Sequence, residues 1–141
     1  ARLMDPAGLR SPKPETCRVI THAMSTHPDM VRVNGGFDTE LMRTRPGLVI
    51  SKGGAEGYMG VGLAPGALDS QSPALGIAVK VADGDHARRA LTAVTLEVLR
   101  QLGALQPEAY PSLAEFSTQP VTNWRGLRAG ETRVTLELTR V

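Results

Sequence analysis

Two short apolar runs, residues 48–52 and 58–63, flank the segment Gly53-Gly54-Ala55-Glu56-Gly57, and this arrangement constrains the fold more than any other feature of the chain. Runs of that length separated by a glycine-rich spacer read as two strands joined in a hairpin. On the second run Met59, Val61 and Leu63 share one face while Gly60 and Gly62 share the other. Such a strand has one face for a core and one bare face that a backbone, a helix or a ligand can approach closely. A third run, residues 75–83, sets Leu75, Ile77, Val79 and Val81 against Gly76, Ala78 and Lys80, again at strand spacing.

Helical spacing frames these strands. Residues 14–27 place Cys17, Ile20 and Met24 at helical intervals behind Pro14, and Pro28 discourages continuation. After the turn signal Asn34-Gly35-Gly36, residues 37–43 form a short helical segment with Asp38 or Thr39 as its cap. The strongest helical stripe runs over residues 86–102, through Ala87, Leu91, Val94, Val98 and Leu102; Asp83-Gly84-Asp85 turn into it and Gly103 stops it. Residues 104–131 read as a connection, and residues 132–140 alternate like a final strand. The order predicts an α+β fold, an antiparallel sheet flanked by helices, in a single domain over residues 1–141.

Composition removes several function classes. Net charge is only +2 and no run of five basic residues occurs, nor do basic residues interleave with Phe37, Tyr58, Tyr110, Phe116 and Trp124. Nucleic-acid binding gains no support from this pattern. No stretch approaches the roughly 18 apolar residues of a membrane span, so no membrane partner is expected. The lone Cys17 permits no disulfide framework, which fits a reducing, cytoplasmic setting.

Lys52 stands at the end of an apolar strand, directly before glycines that admit another backbone. A lysine partly desolvated there can act as a base or polarise an anionic substrate; the alternative is an ordinary solvated lysine at a strand end. Glu56, in the same turn, is a candidate partner for Lys52 or for a substrate ammonium group; the alternative is an ordinary exposed turn glutamate. Asp38 and Thr39 can contact a ligand or simply cap their helix. His22 and His27 are five apart, poorly placed on a helix to share a metal, and Cys17 reads as a small core residue. No GxSxG, P-loop, GxGxxG or HExxH pattern occurs, and no serine is followed by lysine three positions on.

Five segments then take on meaning together: RVITHAMSTHPDMV (18–31), GFDTELM (36–42), SKGGAEGYMGVGL (51–63), LGIAVKVADGDHARRA (75–90) and LRQLGAL (99–105). In this order they resemble successive blocks of the bacterial asparaginase family typified by the inducible rhizobial enzyme, with the sharpest match at residues 52–57. The resemblance implies hydrolysis of L-asparagine to L-aspartate and ammonia on a fold similar to serine β-lactamases and glutaminases. It implies that Lys52 lines the wall of the site on a Lys-x-Gly strand and that Gly53 and Gly54 let the substrate close on the strand edge; the oxyanion would need N–H donors, for which the following turn is one candidate source. Glu56, Asp38 and Thr39 complete the expected substrate contacts.

The same resemblance places the Ser-x-x-Lys nucleophile upstream, so the chain is expected to be the C-terminal half of a longer enzyme. No cofactor is expected on this chain; zinc, where the family holds it, would use residues outside it. The expected partners are a small amide substrate and either a second copy or the N-terminal half. Two rival readings remain: a non-catalytic binding or scaffold domain derived from that fold, and a β-lactamase-like acyl hydrolase.

Overall fold

The computed structural model describes residues 1–86 and 88–139. They divide into two compact units, the first from Ala1–Gly54 with Met59–Ala78, the second from Ala55–Tyr58 with the chain from Val79 onward. The fold is α+β, with five α-helices and two small antiparallel sheets among the described residues.

In the first unit, α1 (Pro14–Thr26) and α2 (Pro28–Val31) are nearly continuous and break at His27. Pro28 ends one helix and occupies the first turn of the next, where its missing N–H costs nothing. Only Cys17 of α1 is buried, and Ile20, which the spacing placed on the inner stripe, is 41% exposed. Helix α3 (Phe37–Thr44) buries Phe37, Leu41 and Met42 and packs on β1 (Val49–Gly53). Its cap residue is Gly36, so Asp38 and Thr39 are not caps and lie within the helix, both buried.

Strand β1 pairs antiparallel with β2 (Tyr58–Leu63), Val49 opposite Leu63 and Gly53 opposite Met59, as the hairpin reading required. Strand order is β1-β2-β3, with β3 (Leu75–Lys80) beside β2 and β1 at the edge. Met59, Val61 and Leu63 are buried on one face. On the other, Gly62 is approached by Met4 and Ile50 so closely that a Cβ there would sit 2.7 Å from the Met4 side chain. The bare face is therefore filled at this point by the side chains of Met4 and Ile50.

In the second unit, α4 (Arg89–Gln101) buries Leu91, Leu96, Val98 and Leu99 and packs against α5 (Pro111–Ser117). It begins three residues later than the stripe suggested, because Arg88 adopts a left-handed φ of 54° that ends helical geometry on its N-terminal side. Ala87, also assigned to the stripe, lies outside the described residues. Gly103 (φ 76°) follows the helix as its stop.

Two expectations need correction here. The stretch taken as a bare connection holds a 3₁₀ turn (Pro107–Ala109), α5, and a hairpin of β4 (Gln119–Thr122) and β5 (Arg128–Thr132), with Trp124 fully exposed near its tip. Conversely, residues 133–139 form no strand; residues 140 and 141 lie outside the described residues. Their alternation is right for a sheet, yet the stretch is held by side chains: Arg133 pairs with Glu131, and the Gln101 side-chain amide donates to Leu136 O and accepts from Leu138 N–H. A strand needs a partner ladder to count as one, and alternation alone cannot supply it. Among the described residues no helix is long and apolar enough to cross a membrane.

Candidate functional site

The strand end that carries Lys52 is organised by Asp38. This carboxylate, 1% exposed, is carried on the first turn of α3 against β1. Its Oδ1 accepts the Ser51 hydroxyl at 2.8 Å and the Gly53 N–H at 2.8 Å. The two bonds reach the residues on either side of Lys52. Ser51 Oγ also lies 3.3 Å from Met59 Sδ, so the anchor is set into the core beneath the hairpin. Because β1 is an edge strand and Gly53 N–H goes to Asp38, that amide points off the sheet and away from β2.

Lys52 itself is exposed, and its cross-strand neighbour is Gly60, which has no side chain to cover it. Its ammonium donates to the carbonyl of the next residue, Gly53, at 2.5 Å. Gly53 is thus held at both polar groups, N–H by a buried carboxylate and C=O by the lysine. Thr39 is turned the other way: its hydroxyl sits between the carbonyls of Pro28 at 3.0 Å and Arg32 at 2.5 Å, tying α3 to the short helix before it. The first unit therefore brings Asp38, Lys52 and Gly53 into one bonded group and directs Thr39 elsewhere. Gly54 follows, half-buried, at the end of that unit.

Glu56 belongs to the second unit. It is exposed and takes a left-handed φ of 57°, followed by Gly57 at 69°. Glycine adopts that region freely, but glutamate does so at a cost of order 1–3 kcal/mol, which something must offset. The ammonium of Lys80 binds the Glu56 carbonyl and the Val81 carbonyl, and the Gly57 carbonyl accepts Val81 N–H at 2.9 Å. A Cβ on Gly84 would lie 3.0 Å from Glu56 Oε2, so the carboxylate rests against bare backbone. Neither the role of Ser51 in the first unit nor that of Lys80 in the second was legible in the sequence. Ser51 shows no pattern in sequence, and Lys80 reads as the polar side of a strand.

The remaining candidates resolve simply. Cys17 is buried at 1% exposure, His22 and His27 are exposed, and no three His, Cys, Asp or Glu side chains gather as a metal site among the described residues. A separate cleft of about 500 Å³ in the second unit is lined by Glu97, Arg100, Glu108, Glu131 and Arg133. There the Arg100 guanidinium, assisted by the Gln101 amide and opposed by partial burial, pulls the Glu97 carboxyl down from 4.5 to about 2. Hydrogen bonds and charge from Arg133 likewise hold Glu131 low. The cleft's charges are largely neutralised by one another, through the Glu97–Arg100 and Glu131–Arg133 pairs.

Comparison with known proteins bears on the whole chain. A family model described as L-asparaginase II matches residues 1–134 of the 141. No curated protein matches the chain.

Proposed function

The chain belongs to the L-asparaginase II family, and on that premise we propose that it forms part of an amidohydrolase that converts L-asparagine to L-aspartate and ammonia. The match over residues 1–134 carries this reading, because it takes in all of the first unit and most of the second. The protein's fold is proposed to be that of the serine β-lactamases and glutaminases, with the Ser-x-x-Lys nucleophile supplied upstream of Ala1. A homodimer, or association with that N-terminal half, and a cytoplasmic location go with the same proposal.

Lys52 is the proposed working residue. Hydrolysis of an amide raises negative charge on the carbonyl oxygen and requires a proton on the departing nitrogen. An exposed ammonium at the end of a strand, opposite a glycine, can approach that charge or pass a proton to the leaving ammonia. Gly53 and Gly54 keep the strand edge clear of side chains. Gly53 N–H is committed to Asp38, which removes it from the candidate oxyanion donors and moves that role to other amides. Glu56 is proposed to meet the substrate's α-ammonium group, its unfavourable backbone angle fitting a side chain held for a purpose. Asp38 and Thr39 are buried and bonded internally, so they are proposed to support the site from beneath.

The test is ammonia release from L-asparagine by the full-length protein that contains this chain, with Lys52→Ala beside it. Release that falls at least about a hundredfold in the variant supports the assignment. Release unchanged in the variant overturns the role of Lys52, and absence of release from the unaltered protein overturns the reaction. Covalent labelling by a penicillin would point instead to a β-lactam acyl donor.

A further inference from the structure

We propose that Asp38 is a positioning residue that sets where the Lys52 ammonium stands, acting through the peptide groups of Gly53. The path is short and every link is a hydrogen bond. Asp38 Oδ1 accepts Gly53 N–H at 2.8 Å, and Gly53 C=O accepts Lys52 Nζ at 2.5 Å. The same carboxylate oxygen accepts Ser51 Oγ at 2.8 Å, so the backbone is pinned immediately before and immediately after Lys52.

Three physical points support the assignment. A carboxylate that is 1% exposed is costly to bury unless its hydrogen bonds repay the loss of water, and bonds to an ionised acceptor are the stronger kind. Gly53 terminates an edge strand, and among the described residues no strand pairs with its outer side to hold its amide. Without Asp38 the last residue of β1 would be free to fray, and the long flexible lysine stem would move with it. Finally, Asp38 comes from α3, a helix that packs on β1, so the anchor belongs to a neighbouring element and not to the strand end it holds.

This inference rests on the reading of Lys52 as a site residue, and its test separates the two. Backbone and lysine side-chain NMR signals would be recorded on the full-length protein that contains this chain, its Asp38→Asn variant and its Ser51→Ala variant, with and without L-asparagine. Asp38→Asn keeps the shape and an acceptor oxygen but removes the charge. The expected result is a Gly53 amide that moves upfield and exchanges with solvent about tenfold faster in Asp38→Asn, together with a shifted Lys52 side-chain signal. Ser51→Ala removes one anchor only and should move the same signals less. Unmoved Gly53 and Lys52 signals in Asp38→Asn overturn the positioning role, whatever asparagine does. If Asp38→Asn unfolds, unmoved signals in Ser51→Ala overturn it in the same way, and moved ones uphold it. Signals that move with the substitutions but ignore asparagine in the unaltered chain uphold the positioning of Lys52 and count against asparagine as its ligand.

Discussion

The carboxylate of Asp85 accepts the amide of Arg89 at 3.2 Å and that of Leu91 at 2.8 Å, reaching past Arg88 to satisfy two of the free donors at the start of α4. The side chain caps a helix it does not adjoin, because the left-handed turn at Arg88 folds it back over the first turn. Replacing Asp85 with alanine should cost about 1 kcal/mol. The midpoint of thermal unfolding, followed by circular dichroism, should fall by roughly 4 °C. Asp85→Asn, which retains an acceptor, should lose only part of this.

The Thr39 hydroxyl, fully buried between two carbonyls, makes a different demand. Thr39→Val preserves the volume and branching but leaves the Arg32 carbonyl short of a donor, whereas the Pro28 carbonyl keeps the Arg32 N–H. A loss of about 1–3 kcal/mol is expected from urea unfolding. A change below about 0.5 kcal/mol would mean that water reaches the Arg32 carbonyl.

Core and surface apolar positions should separate cleanly. Leu96, 1% exposed on the inner face of α4, should cost about 2–5 kcal/mol when truncated to alanine. Ile20, on a helix whose only buried residue is Cys17, should stay within about 0.5 kcal/mol of the unaltered protein.

Glu97 gives a pH dependence whose sign follows from its partners. Its folded-state pKa, about 2, lies below the ordinary value of 4.5, so its stabilising contribution is present above pH 4.5 and is lost as pH falls toward 2. Arg100 is well exposed, so solvent screens the pair and keeps its worth small. Glu97→Gln should therefore lower the urea midpoint slightly at neutral pH, with the gap from the unaltered protein closing in acid. A gap that stays constant with pH would assign the effect to packing.

Sequence reasoning located those elements whose cause is local. The hairpin over residues 49–63 followed from its apolar runs and glycine spacer, and α4 followed from its stripe. It failed where the cause is a contact distant in sequence. Asp38 reads as a helix cap until β1 is seen to place Ser51 and Gly53 against it, 13 and 15 residues further on. The alternation of residues 133–139 promised a strand, but pairing is a property of two segments. The helix α5 and the hairpin after it were missed because Pro107, Pro111 and Gly126 resemble loop punctuation, although each proline stands in the first turn of a helical element, where it is well suited. Lys52 was singled out by its neighbours in sequence, whereas the bond that fixes its neighbour Gly53 was visible only in three dimensions.

The exposed hairpin tip has a practical consequence for watching this protein at all. Trp124 is the chain's one tryptophan, and it already stands in water in the folded state. Its fluorescence will scarcely register unfolding, since its surroundings hardly change. A blue shift of that emission on mixing with another protein would instead report something settling over the β4–β5 hairpin, an optical signal silent to the core and tuned to one place on the surface.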